Sequence, residues 1–163
     1  MQSKDQIAPL VSIALATYNG ERFLAEQLDS LLQQTYQNFE VVISDDGSTD
    51  QTKQILEAYA AKDARIQWSV NEGQRGVILN FERAIGRCRG EIIFLCDQDD
   101  SWYPEKLERH LAAYSNKSVM WVYNEVRLTD QGNNQIGLLT DQLSDYWTRR
   151  KLLYYTWGSC VLG

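Results

Sequence analysis

The sequence predicts an α/β protein with a mostly parallel central sheet that is covered by helices on both faces. Short apolar runs that suit buried strands alternate with segments whose apolar residues have helical spacing. The chain has 163 residues and contains no repeat, low-complexity tract or Pro/Gly/Ser linker. We therefore expect one domain that spans residues 1–163.

The first half of the chain repeats a strand–helix unit. Val11 to Ala16 is an apolar run that predicts a buried strand, and the leucines after Asn19-Gly20 have the spacing of a helix. Phe39 to Ser44 predicts a second strand. Ser48 and Gln51, three residues apart, predict a capping box at the start of the second helix.

The same pattern continues in the second half. Arg65 to Val70 predicts a third strand, and Glu91 to Cys96 predicts a fourth, the most apolar of all. Four apolar residues are expected on the buried face of the third helix: Ile78, Phe81, Ile85 and Cys88. The last predicted elements are a helix after Pro104, a strand over Ser118–Asn124, and the start of a turn or strand within Thr156–Gly163.

Composition and charge exclude several classes of protein. Sixteen Lys and Arg against twenty-two Asp and Glu give a net charge of −6, which argues against nucleic acid as a partner. Three cysteines and one histidine cannot form a zinc cluster, and they favour a reducing, cytoplasmic compartment. No stretch approaches the roughly 20 apolar residues of a membrane span.

Carboxylates gather where two predicted strands end. Asp45 and Asp46 follow the second strand, and Asp97, Asp99 and Asp100 follow the fourth. Because ligands bind outside the carboxyl ends of parallel strands, these five groups are expected in one crevice. Their mutual repulsion and oxygen-only chemistry suit Mg²⁺ or Mn²⁺ shared with a substrate diphosphate. The Asp45 segment, taken alone, is more typical of a helix-capping turn, but the second acidic strand end weakens that interpretation.

At this point five segments resemble one known family, the family 2 glycosyltransferases of the GT-A fold. The segments are Val11–Ile13, Ala16–Asn19, Ser30–Thr35, Asp45–Asp50 and Asp97–Asp100, and their order and spacing match the family. The variant over Asp97–Leu107 is most similar to bacterial enzymes that build O-antigen or capsular polysaccharide, rhamnosyltransferases among them. The resemblance implies a Mn²⁺- or Mg²⁺-dependent inverting transfer from a nucleotide-diphospho-sugar, such as a UDP- or dTDP-sugar, to a glycan or lipid-linked acceptor.

The resemblance also implies roles for individual residues. Asp46 would accept a hydrogen bond from the pyrimidine ring N–H, and Asp97 would face the ribose. Asp99 and Asp100 would hold the metal. The remaining implied nucleotide contacts are the base and ribose pocket at Thr17, Tyr18 and Asn19, its rim at Glu21, and the segment with Gly76 and Asn80, for which an ordinary turn and cap carries equal weight.

The resemblance places the general base beyond Gly163, just after the segment that Trp157–Leu162 resembles. We therefore expect the chain to be truncated, with the donor half of the site but without its base. Such a chain would transfer sugar slowly or not at all.

Several patterns leave two interpretations open. Tyr146–Tyr155 mixes aromatic and basic residues, which suits either a peripheral membrane contact or a helix packed on the core. Trp102 and Tyr103 suit sugar stacking or packing, and His110 is expected to be exposed to solvent. Two other classes are considered: a nucleotidyltransferase or sugar-nucleotide pyrophosphorylase, and a receiver-like signalling module that binds Mg²⁺.

Overall fold

A computed structural model describes residues 8–114, 118–119, 121–124, 126–130, 134–138 and 158–161. The predicted α/β class is confirmed, because strands and helices alternate through most of the chain. The elements in chain order are β1 (Val11–Thr17), α1 (Leu24–Leu32), β2 (Phe39–Asp45), α2 (Thr52–Lys62), β3 (Ile66–Val70), α3 (Val77–Ile85), β4 (Ile92–Asp97), α4 (Lys106–Ala113), β5 (Trp121–Tyr123), β6 (Arg127–Thr129), β7 (Gln135–Leu138) and β8 (Gly158–Val161).

The main sheet has six strands in the order β3-β2-β1-β4-β8-β5. The first four are parallel, and β8 is antiparallel to both of its neighbours. β6 and β7 form a separate antiparallel pair. Thr17 at the end of β1 pairs with Asp45, and Ala16 pairs with Asp97, so the polar ends of β1, β2 and β4 lie at one edge of the sheet.

The core forms on strands that the apolar runs predicted. Every residue of β1 and of β2 is buried, as expected for central strands covered on both faces. The side chains of α1 that pack beneath them are leucines at helical spacing: Leu24, Leu28 and Leu31.

The expected buried face of α3 is wrong in part. Phe81 is buried as predicted, but Ile78 is 80% exposed. Asn80 and Ala84 take the buried face instead, because the Asn80 side chain donates hydrogen bonds to backbone carbonyls of β1 and β2. Successive helix residues are about 100° apart, so Ile78 lies roughly opposite Asn80 on the helix.

The capping box predicted at Ser48 and Gln51 is also wrong. Ser48 turns back to the Asp45 carboxylate, and α2 begins only at Thr52. The first turn of α2 is capped from other residues. Asp50 Oδ1 accepts from the Thr52 N–H at 3.0 Å, and Glu21 Oε2 accepts from the Gln51 N–H at 2.9 Å.

His110 is buried, contrary to the expected solvent exposure. It is three residues from Leu107, and therefore on the same, inward face of α4. Its ring centroid lies 5.1 Å from that of Phe94. Burial, together with the nearby positive charge of Lys106, lowers the pKa of His110 to about 4, so the ring is neutral at pH 7.

No helix in the described part of the chain is both long and apolar enough to cross a membrane. The segment Tyr146–Tyr155, for which a membrane contact was one interpretation, lies outside the described residues. Cys88 and Cys96 are free thiols, and Cys96 is buried in the core as expected.

At the opposite edge of the sheet, buried Glu40 forms an ion pair with the exposed side chain of Arg89. Glu40 on β2 is 2% exposed and accepts hydrogen bonds from the Ser12 hydroxyl, at 2.7 Å, and from the Arg89 backbone and guanidinium. Burial alone would raise the pKa of Glu40, but these hydrogen bonds outweigh it and lower the pKa.

Replacing Glu40 by Gln is expected to lower the free energy of unfolding at pH 7 by about 2 kcal/mol, because the buried Ser12 hydroxyl and the Arg89 donors lose a charged acceptor. Since the pKa of Glu40 is lower in the folded state, its stabilisation is complete above about pH 5 and is lost as the pH falls. Urea denaturation at pH 7 and pH 4 measures both effects. Glu57→Gln, on the exposed face of α2, is the control. Equal stability of the Glu40→Gln variant and wild type at pH 7 would contradict this role.

Candidate active site

Three loops meet at the carboxyl edge of the sheet. They follow β1 at Tyr18, β2 at Asp46 and β4 at Gln98. The parallel pairing of these strands places the loops side by side, with the β1 loop in the middle. The residues predicted from the sequence to bind nucleotide and metal lie at the ends of β1 and β4, in these loops, or around the start of α3, which packs on β1 and β2.

Asp45 has a structural role in the β2 loop. It is fully buried, and its carboxylate accepts from the Ser48 N–H at 3.0 Å and from the Ser48 hydroxyl. Gly47 between them has a φ of 81°, a left-handed conformation that favours glycine. The turn interpretation is therefore correct for Asp45. The expectation that five carboxylates share one crevice is therefore wrong for Asp45, whose carboxylate is buried against Ser48.

Asp46 points toward the segment between β3 and α3. Its Oδ1 accepts from Asn71 Nδ2 at 2.7 Å, and its Oδ2 accepts from the Gly76 N–H at 2.8 Å. The Asp46 N–H donates to the Thr17 carbonyl at 2.8 Å. The carboxylate is 7% exposed and is held by donors on both oxygens. A ligand can therefore meet Asp46 only with a hydrogen-bond donor, because the carboxylate offers only acceptor oxygens.

Gly76 and Asn80 connect α3 to this loop. Gly76 is the residue before α3 and has a φ of 135°, which a larger residue would adopt only with strain. Asn80 Nδ2 donates to the Ser44 carbonyl at 2.8 Å and to the Thr17 carbonyl at 3.2 Å. Asn80 thus holds α3 against the ends of β1 and β2, a role that neither sequence interpretation included.

Asn19 and Glu21 connect the β1 loop to the start of α2. The Asn19 N–H donates to the Ser48 hydroxyl, and Asn19 Oδ1 accepts from the Thr49 N–H, both at 2.9 Å. Glu21 and Asp50 accept from backbone N–H groups on each other's loops. Glu21, which was predicted to line the rim of the nucleotide pocket, therefore helps to hold the β1 loop against the start of α2.

Gln98 connects the acidic loop to the β1 loop, a role that no local sequence pattern predicted. Its Oε1 accepts from the Thr17 hydroxyl at 2.7 Å and from the Tyr18 N–H at 2.9 Å, and its Nε2 donates to the Tyr18 carbonyl at 3.3 Å. A Cβ on Gly20 would lie 2.5 Å from Gln98 Oε1, so a larger residue there would displace the Gln98 amide. Thr17 is buried in this contact, whereas Tyr18 is 49% exposed.

The acidic loop after β4 holds unfavourable negative charge. Burial, followed by the charges of Asp100 and Asp99, raises the pKa of Asp97 to about 7. Burial also raises the pKa of Asp100; nearby Lys106 opposes that rise and Asp99 adds to it. Ionised carboxylates are costly at this position unless a positive charge joins them.

Lys106 and Trp102 border the acidic loop. Lys106 Nζ lies 3.7 Å from the centroid of the Trp102 ring, and burial lowers its pKa. Trp102 is 5% exposed and packs against Phe94, which supports the packing interpretation over sugar stacking. Tyr103 is exposed. A cavity of about 900 Å³ opens beside Asp99 and Asp100 and is lined by residues of α4, β5, β6 and β7.

The carboxylates fit a divalent cation only as part of a larger ligand set. Among the described residues, no group of three or more His, Cys, Asp and Glu side chains is placed to hold a metal ion. Asp99 and Asp100 supply hard oxygen donors, and burial raises the pKa of Asp100, so a bound cation would favour its ionised form. Mg²⁺ is often held by one or two carboxylates together with substrate phosphates, and that donor set fits this loop.

Replacing Gln98 by Ala is expected to weaken Mn²⁺-dependent UDP binding about tenfold, because the acidic loop and the β1 loop lose their shared hydrogen bonds. Calorimetric titration measures the affinity. Gln33→Ala, at the exposed position directly after α1, is the matched control. Unchanged affinity in the Gln98 variant would contradict the positioning role.

The α/β fold and the carboxylates at the carboxyl ends of β2 and β4 agree with the arrangement that the motifs predicted. The model of the family described as "Glycosyl transferase family 2" matches residues 12–161. The chain therefore belongs to glycosyl transferase family 2. This membership decides against the nucleotidyltransferase and the receiver-like module.

Relatives and solved structures agree with the family. The chain is 32% identical over 128 residues to the UDP-Glc:alpha-D-GlcNAc-diphosphoundecaprenol beta-1,3-glucosyltransferase WfgD of Escherichia coli, covering 78% of this chain and 49% of WfgD. It is 30% identical over 148 residues to an uncharacterized glycosyltransferase of Haemophilus influenzae, covering 91% and 56%. The crystal structure of S. aureus TarS 1-349 with UDP is similar, with a TM-score of 0.66, 31% identity, and coverage of 76% of this chain and 37% of TarS. The chain thus spans roughly half the length of these relatives, or less.

Proposed function

We propose that this chain binds the nucleotide-diphospho-sugar donor of a glycosyltransferase that builds cell-surface polysaccharide. The observation that carries the proposal is the division of the sheet edge into two acidic positions on either side of β1. Asp46 follows β2, and Asp97, Asp99 and Asp100 follow β4. A donor nucleotide needs both: an acceptor for its base on one side, and on the other side carboxylates that can hold a divalent cation against its negatively charged diphosphate.

The nucleotide in this proposal is UDP or dTDP. Asp46 recognises the ring N–H of the pyrimidine, and Tyr18, half exposed between the two acidic positions, lines the base and ribose pocket. The crystal structures of TarS with UDP and with UDP-GlcNAc support a uridine donor for a related chain. Asp97 faces the ribose, and Gly76 and Asn80 shape the pocket through their contacts with the β1 and β2 ends.

Asp99 and Asp100 would hold Mn²⁺ or Mg²⁺ in this proposal. The cation would supply positive charge that stabilises the departing nucleoside diphosphate. The residues of this chain position the two carboxylates: Gln98 fixes the loop to β1, and Lys106 balances part of the charge of Asp100. The transfer is proposed to be inverting, which requires a general base opposite the leaving group.

The acceptor is proposed to be a glycan or a lipid-linked sugar. The printed name of WfgD describes an acceptor linked to diphosphoundecaprenol, which supports a lipid-linked substrate in a relative. The cavity beside Asp99 and Asp100 is large enough for a sugar ring and adjoins the proposed metal position. We place the protein in the cytoplasm, at most peripherally on a membrane. Its free thiols Cys88 and Cys96 support a reducing compartment.

Ligand-observed NMR tests the donor proposal without requiring turnover. With Mg²⁺ present, saturation transferred from the protein is expected to reach the base and ribose protons of UDP or dTDP, and not those of ADP. A chain that transfers no saturation to either pyrimidine nucleotide, or equal saturation to ADP, would contradict the proposal. Robust sugar transfer by this 163-residue chain would contradict only the expectation that its base lies beyond Gly163.

A further inference from the structure

Asn71 is the residue that most tightly constrains Asp46. It lies directly after β3 and is 4% exposed. Its Nδ2 donates to Asp46 Oδ1 at 2.7 Å and to the Gln74 carbonyl at 3.1 Å. Its Oδ1 accepts from the Gly73 N–H at 2.9 Å, and its own N–H donates to the Asp45 carbonyl. Every polar atom of this amide side chain therefore has a partner.

These partners fix the orientation of the amide. Rotating it by half a turn would place Oδ1 against the Asp46 carboxylate and Nδ2 against the Gly73 N–H. Both contacts would then be between groups of the same kind, acceptor with acceptor and donor with donor. Asn71 can therefore present only a donor to Asp46.

The second oxygen of Asp46 has the same constraint. The Gly76 backbone N–H, which donates to Oδ2 at 2.8 Å, has no acceptor capacity. A proton on either oxygen of Asp46 would weaken one of these two hydrogen bonds. The oxygens of Asp46 can therefore offer only acceptor sites to a further hydrogen-bonding group.

We propose that Asn71 is a positioning residue that sets the base specificity of the nucleotide site by keeping Asp46 a pure acceptor. A base must then present a ring N–H to Asp46, as uracil and thymine do. Cytosine presents a ring nitrogen lone pair at the same position and is rejected, because two acceptors would face each other. This inference rests on the proposed function, because it requires that Asp46 contacts the base.

The test compares the affinities of UDP and CDP, which differ at this edge of the base. Wild type is expected to prefer UDP. Asn71→Asp is nearly isosteric but places a carboxylate where the amide donor was, so the pair must share a proton and can then donate to cytosine. The preference for UDP over CDP is expected to fall by at least about tenfold in this variant. Asn71→Ala removes the donor without adding charge and is expected to reduce the preference less.

Calorimetry in the presence of Mn²⁺ gives both affinities, and a thermal melt checks that each variant is folded. The matched control is Asn38→Asp, at an exposed position remote from Asp46, where the side chain donates to the Ala8 carbonyl. A UDP preference that stays unchanged in both folded Asn71 variants would overturn the inference. So would an equal loss of affinity for both nucleotides, which would show that Asn71 only holds the loop. Failure of wild type to bind UDP would instead overturn the proposed function.

Discussion

Replacing Asp97 by Asn is expected to make the metal-free protein more stable at pH 8 and to weaken its binding of nucleotide with metal. Burial and the neighbouring charges of Asp100 and Asp99 raise the pKa of Asp97 to about 7 in the folded chain. The carboxyl therefore favours folding only while it is protonated. That contribution is complete below its ordinary pKa and is lost as the pH rises through about 7. An amide stays neutral at every pH and avoids the loss.

The gain in the free energy of unfolding from Asp97→Asn is expected to be on the order of 2 kcal/mol at pH 8. This is less than the whole change in the pKa of Asp97 would imply, because the carboxyl is partly exposed to solvent. It should shrink toward zero near pH 4, where both forms are neutral. Urea denaturation with EDTA present measures it, and Glu57→Gln is the control. A variant that is no more stable than wild type at pH 8 would show that ionisation of Asp97 does not destabilise the metal-free protein.

Replacing Asp46 by Asn is expected to reduce the affinity for UDP by about a hundredfold, because the site loses the charged acceptor for the base N–H. The loss should be the same with and without metal, since Asp46 lies on the base side of β1. Calorimetric titration of UDP at both conditions measures it.

The matched control for Asp46 is Asp29→Asn. Asp29 is exposed on α1 and accepts a hydrogen bond from the Tyr59 hydroxyl, which an amide oxygen can still accept. Its replacement should leave the affinity for UDP unchanged. If the Asp46→Asn protein bound UDP with the affinity of wild type, the proposal that Asp46 contacts the base would be wrong.

The sequence was most informative where one physical effect dominates. Apolar runs predicted β1, β2 and β4 because central parallel strands are buried on both faces. Carboxylates after two of these strands marked the site, since parallel strands bring their ends to one edge. The antiparallel strand β8 was anticipated only as the start of a turn or strand, because its pairing with β4 spans more than 60 residues of sequence.

Contacts between distant side chains could not be predicted from spacing. Gln98 lies 80 positions from Tyr18, and Asn71 lies 25 positions from Asp46, so no local pattern joins them. The same limit explains the errors at Ile78 and His110. On a short amphipathic helix, one contact with the sheet decides which of two candidate faces is buried. The turn role of Asp45 likewise depends on its hydrogen bonds with Ser48.

The central claim is that the two acidic positions at the sheet edge together bind a nucleoside diphosphate and a divalent cation. Calorimetric titration of UDP, with and without Mn²⁺, on wild type and on Asp99→Ala tests it most directly. We expect Mn²⁺ to raise the affinity of wild type for UDP at least about tenfold and to have no effect on the Asp99→Ala protein. UDP binding that is the same with and without Mn²⁺, or a metal effect that survives in Asp99→Ala, would contradict the claim.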